Sequence, residues 1–115
     1  RPARPTVLAC GNDPMAMVVY GLLRSRGLKV PEEISVAGYD NYRAIAETLY
    51  PPLTTVDLPY NAMGVRAAER LLALISGASR DDRTPMLVAG PVQWRNSVTE
   101  MRPSNILQLK AVREE

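Results

Sequence analysis

Val30-Pro31-Glu32-Glu33-Ile34-Ser35-Val36-Ala37-Gly38-Tyr39-Asp40-Asn41 reads as a turn, a buried strand, a polar strand end and a second turn in direct succession. Pro31 and two glutamates interrupt any regular element before the run, and Ile34 to Tyr39 carry the apolar character of a strand inside a sheet. Gly38, Asp40 and Asn41 then supply turn-forming residues. Open α/β sheets bind ligands in the crevice beyond the C-terminal ends of their strands, so an Asp-Asn pair at this position marks a candidate site.

The flanking sequence supports that placement. Residues 6–10 form an apolar run between Pro5 and Gly11, too short for a core helix and suited to a strand buried on both faces of a parallel sheet. Asn12 or Asp13 can cap a helix with Pro14 in its first turn, Met15, Val18, Val19, Leu22 and Leu23 supply its apolar stripe, and Gly27 ends it. Residues 6–39 thus spell a βαβ unit. Residues 42–49 fit a short helix before the Pro51-Pro52 break, and residues 54–58 a strand or extended crossing segment. A longer helix is expected over 61–76, with Met63, Ala67, Ala68, Leu71, Leu72 and Ile75 on one face and Gly77 as its stop. After a polar loop, residues 86–89 and 92–95 read as short strands separated by Gly90-Pro91.

Composition narrows the function. The 115 residues, 46% hydrophobic, permit one ordinary core, and 14 basic against 12 acidic residues leave a net charge of +2 without a basic run for nucleic acid. The one cysteine, Cys10, excludes an internal disulfide and reads as a small buried hydrophobe, which suits a reducing cytosol. The absence of histidine removes the usual general base, the serine triad and most zinc sites, and no Gly-rich phosphate loop is present. Asp13 and Asp40 could form an acid-base pair across one crevice, which leaves a glycosidase-like activity as a minor alternative. No apolar run reaches the about 20 residues of a membrane span, and the opening segment carries no secretory-signal pattern. That opening is expected to be a cut through a linker, with a parallel partner for residues 6–10 encoded further upstream.

Residues 11–16, 30–41 and 51–56, with Pro59, Gly64, Ala67, Ala68, Leu71 and Leu72 downstream, resemble the sugar-binding core of LacI/GalR-type transcription regulators over about residues 5–98. The resemblance implies an α/β fold, a doubly wound parallel sheet forming part of a periplasmic-binding-protein-like (type I) domain. It places residues 1–55 and 91–100 in one lobe and 56–90 in the other, and leaves 101–115 as a C-terminal tail. It carries effector contact onto Asn12 and Asp40 most directly. An aspartate accepts from two neighbouring hydroxyls and an asparagine both accepts and donates, which suits a sugar or related metabolite. Asp13 is divided between helix capping and ligand contact, and Asn41 between turn and ligand contact.

Arg95 and Ser97 match an Arg-x-Ser signature of the same family. The guanidinium is expected to form a structural ion pair, with Asp13 or Asp40 as partners, or to bind an anionic ligand group. Tyr39 reads as a packing residue, Tyr42 as a residue of the cleft rim, and Trp94 as core. The resemblance also implies a dimer face, for which Tyr20, Arg24, Arg43 and Ile45 are candidates because they lie off the expected core stripes. Departures from the family pattern fall at Gln93-Trp94 and Val19-Tyr20. No cofactor or metal is implied. The partners expected are a small effector, operator DNA through a domain outside this chain, and a second copy of the protein, in the cytoplasm. The competing reading is a periplasmic sugar receptor of a transporter, which shares the fold.

Overall fold

The computed structural model of the chain describes residues 4–78 and 83–100. Its elements are β1 (Val7–Ala9), α1 (Asp13–Ser25), β2 (Ser35–Ala37), α2 (Arg43–Ala46), β3 (Thr55–Val56), α3 (Tyr60–Ile75) and β4 (Val92–Gln93). β1 and β2 pair in parallel, with Val7 opposite Ser35 and Ala9 opposite Ala37. The parallel arrangement continues into β3 through bridges between Ala37 and Thr54 and between Asp40 and Asp57. β4 closes this edge antiparallel to β3, with Thr55 opposite Gln93. The βαβ unit expected from the sequence is therefore present, and the sheet departs from an all-parallel one only at its last strand.

The core lies between α1 and the sheet. Ala16, Tyr20 and Leu23 of α1 pack with Ile34, Val36, Ala46 and Leu53, and Leu8, Cys10, Val19, Leu28, Val30 and Leu49 surround them. Burial pushes the Cys10 thiol above its ordinary value, and the neighbouring Asp13 adds to the shift, as fits an inert packing residue.

The phase of α1 differs from the sequence reading. Met15, Val18 and Leu22 of the expected stripe are exposed, whereas Asp13, Ala16, Tyr20 and Leu23 face inward. Hydrogen bonding explains the rotation, because the inward face carries two polar side chains whose partners lie beneath the helix. Tyr20 is only 6% exposed and its hydroxyl donates to the Pro51 carbonyl at 3.0 Å, which corrects the expectation that Tyr20 lies off the core stripe.

Three further expectations change. Residues 86–89 form no strand, and Leu87 is 92% exposed. Trp94, expected in the core, is 73% exposed because it points away from the face on which Gln93 and Arg95 make their hydrogen bonds. α3 forms as a sixteen-residue helix, but none of its residues is buried by the described residues. The tail expected over 101–115 lies outside the described residues.

Candidate functional site at the strand ends

The sheet and α1 meet where β1 and β2 end. Asn12 caps α1, its Oδ1 accepting from the Met15 N–H at 2.8 Å, so capping takes one end of the amide and leaves Nδ2 as a donor at the strand end. The Asp13 N–H donates to the Tyr39 carbonyl at 3.1 Å, which hangs the helix start from the end of β2.

Asp13 is fully buried, and neither of its expected roles describes it. Its Oδ1 accepts from the Thr55 hydroxyl at 2.7 Å and its Oδ2 from the Tyr42 N–H at 2.7 Å. It thus ties α1 to β3 and to the loop after β2, beneath the site rather than in it. Gly38 makes this possible, since a Cβ there would overlap the Asp13 carboxylate and the Leu53 side chain.

Asp40 and Asn41 follow in left-handed backbone conformations, with φ of 100° and 50°. Such angles in residues with side chains cost about 1–3 kcal/mol each and persist where the surroundings over-determine them. The Asp40 N–H donates to the Val56 carbonyl at 2.8 Å, and its Oδ1 accepts from the Tyr42 N–H at 3.2 Å. Burial first, and then the nearby Asp13 carboxylate, push the Asp40 carboxyl above its ordinary range. Tyr39 and Tyr42 are both exposed beside it, which fits the rim for Tyr42 and removes Tyr39 from the core.

Arg95 does not reach Asp13 or Asp40 as an ion-pair partner. Its Nη1 donates to the Leu53 carbonyl and its Nη2 to Asn41 Oδ1, both at 2.8 Å, and its salt bridge is to Glu47 at 3.7 Å. Glu47 also pairs with Arg43, whose hydrogen-bonded guanidinium lowers the Glu47 carboxyl from its ordinary value. Ser97, buried, accepts from the Thr54 N–H at 2.7 Å and donates to the Val36 carbonyl at 2.6 Å, stitching β2 to the start of β3.

The candidate site thus has Asn12 just after β1 and Asp40 and Asn41 just after β2, with Asp13 bonded to the Tyr42 N–H and Arg95 to Asn41. Thr55, Asp57 and Gln93 join this network and were missed by sequence reading. The β-branched run signalled a strand but not which of its side chains would turn toward the loop. Of the dimer-face candidates, Arg24 is exposed with Nη2 3.5 Å from the Tyr50 carbonyl, Arg43 is exposed, and Ile45 is half-buried. No cluster of three metal-ligating side chains occurs among the described residues. No helix among them is long and apolar enough to cross a membrane.

A family profile described as a periplasmic binding protein-like domain matches residues 1–98. The chain belongs to that family. Within the family it is part of a LacI/GalR-type effector-binding domain. It is 45% identical over 80 residues to the HTH-type transcriptional repressor PurR of Vibrio vulnificus (strain CMCP6), covering 70% of this chain and 24% of the relative. Its fold matches a transcriptional regulator CelR–cellobiose complex with a TM-score of 0.70 at 29% identity, covering 80% of this chain and 28% of the other. It also matches the lac repressor dimer bound to operator and the anti-inducer ONPF, with a TM-score of 0.73 at 29% identity, over 84% of this chain and 32% of the other. The chain thus spans about a quarter of the length of the curated relative. Among periplasmic-binding-protein-like domains these matches favour regulators over transport receptors, as the Pro51-Pro52-Leu53-Thr54-Thr55-Val56 segment implied.

Proposed function

We propose that this chain forms one side of the effector cleft of a ligand-responsive transcription regulator, with Asn12 and Asp40 as its ligand-facing polar groups and Asn41, its amide held by Asp57 and Arg95, as the residue that shapes the turn behind them. The observation that carries the reading is Asp40, held at φ 100° where a strand of the parallel sheet ends. A carboxylate and an amide at neighbouring strand ends offer acceptors and a donor to vicinal hydroxyls, which supports a sugar or a similar polar metabolite as effector. The cellobiose bound to a structural neighbour is consistent with that class. The burial of Asp13, with both oxygens engaged, leaves no second free carboxylate for acid-base chemistry, which supports sensing rather than catalysis.

In the full-length protein, differential affinity of the effector for two lobe arrangements would change how DNA-binding heads meet the operator. The lobes would divide as 1–55 with 91–100 and 56–90. DNA contact would come from a domain outside this chain, acting in a cytoplasmic homodimer. The α1–α2 side of the molecule, with Arg24, Arg43 and Ile45 and the exposed Tyr50, is the face we assign to that dimer. In the full-length protein, Asp40→Ala should raise the effector concentration needed for the operator response by about tenfold or more and leave effector-free operator affinity unchanged. Electrophoretic mobility shift with and without sugar is the measurement, and an unaltered response would remove Asp40 from the site.

A further inference from the structure

Asp57, directly after β3, uses both carboxylate oxygens on side-chain amides from different parts of the fold. Oδ1 accepts from Asn41 Nδ2 and Oδ2 from Gln93 Nε2, both at 2.6 Å. Asn41 is gripped at its other end as well, since its Oδ1 accepts from Arg95 Nη2 at 2.8 Å. Its amide therefore has one admissible orientation, donor toward the carboxylate and acceptor toward the guanidinium. The backbone of Asp57 is fixed too. Its N–H donates to the Pro91 carbonyl at 2.9 Å, and a Cβ at Gly90 would overlap its carbonyl oxygen.

The residue so gripped is the second of the two left-handed residues at the site. The backbone of Asn41 contributes only a 3.3 Å bond from its N–H to Thr55 Oγ1, so the side chain supplies the firmer hold. A strand end in this conformation needs an outside constraint, and the Asp57–Asn41 pair supplies it.

We propose that Asp57 is a positioning residue for effector contact, which ties the Asp40-Asn41 strand end to β3 and, through Gln93, to β4. The geometry presented to the ligand then depends on how those two strands sit together. The proposal rests on the reading that Asp40 meets the effector, but the tie itself is testable without any ligand.

The experiment compares four forms of the full-length protein: native, Asp57→Ala, Gln93→Glu, and the Asp57→Asn/Gln93→Glu pair. Hydrogen–deuterium exchange is followed at the amides of residues 40–42. Gln93→Glu sets a carboxylate against a carboxylate, and Asp57→Ala removes both acceptors. Each should speed local exchange about tenfold relative to native protein while leaving the β1–β2 amides protected. In the double variant the new amide at 57 donates to the carboxylate at 93 and accepts from Asn41, so exchange should return to within about threefold of native. Unchanged exchange at 40–42 in both single variants, or loss of protection spread equally through β1 and β2, would overturn the proposal, as would failure of the double variant to rescue. Calorimetric titration of the same proteins with cellobiose and arabinose separates the two readings. Absence of sugar binding by every form, native included, counts against the effector assignment of Asp40 and leaves the exchange result to judge Asp57.

Discussion

At the scale of single residues, Asp13 and Asp40 differ through their surroundings. Asp13 is buried with one hydroxyl and one backbone N–H on its two oxygens, so it acts as a structural brace. Replacing Thr55 by its apolar isostere removes one of those donors without changing volume. Thr55→Val in the full-length protein should therefore lower stability by about 1–3 kcal/mol, read as a lower urea midpoint at unchanged slope. A midpoint equal to the native one would mean that Asp13 had found another donor. Asp40 is raised in its carboxyl value by burial and then by Asp13, which gives a definite sign. Its proton-linked contribution to stability is complete below its ordinary value of 3.8 and is lost as pH rises through the higher folded value. Asp40→Asn should therefore melt above the native protein at pH 7 and lose that advantage near pH 3. Parallel melting curves at the two pH values check this, and an advantage that persisted at pH 3 would contradict it.

At the scale of elements, order was legible, whereas helix phase and the lack of a strand at 86–89 were not. Pro5, Gly11, Gly27 and the Pro51-Pro52 pair bracket elements by local backbone chemistry, and α1, β1, β2 and β3 appear inside those brackets. The buried face of α1 escaped the apolar pattern because two of its four inward residues, Asp13 and Tyr20, are polar and find partners only in the folded chain. The same reason hides the site's support. Asn12 and Asp40 stood out at strand ends, but Thr55, Asp57 and Gln93 matter through contacts 16 to 42 positions distant in sequence, which no local pattern encodes. Arg95 stands out in the sequence by its Arg-x-Ser context, but its partners Asn41, Leu53 and Glu47 do not.

At the scale of the molecule, α1 and the sheet bury a core while α3 does not. Leu71, Leu72 and Ile75 are each more than half exposed, and Arg70 Nη1 donates to the Thr84 carbonyl at 3.0 Å. An apolar stripe of this kind is a surface for association. The isolated 115-residue chain should therefore form dimers or larger species at micromolar concentration in sedimentation velocity. A monomer in which α3 folds back onto the β1–β2 sheet would refute that expectation.

The linear sequence determined the class of fold and the βαβ order, and with them the strand ends that carry the candidate site, because turn residues and short apolar runs act locally and need no knowledge of the rest of the chain. The tertiary structure alone decided which face of α1 turns inward, that Asp13 braces rather than caps, and that Asp57 and Arg95 grip Asn41 from two sides. Those outcomes depend on desolvation and hydrogen-bond geometry, and both quantities exist only once distant strands have come together.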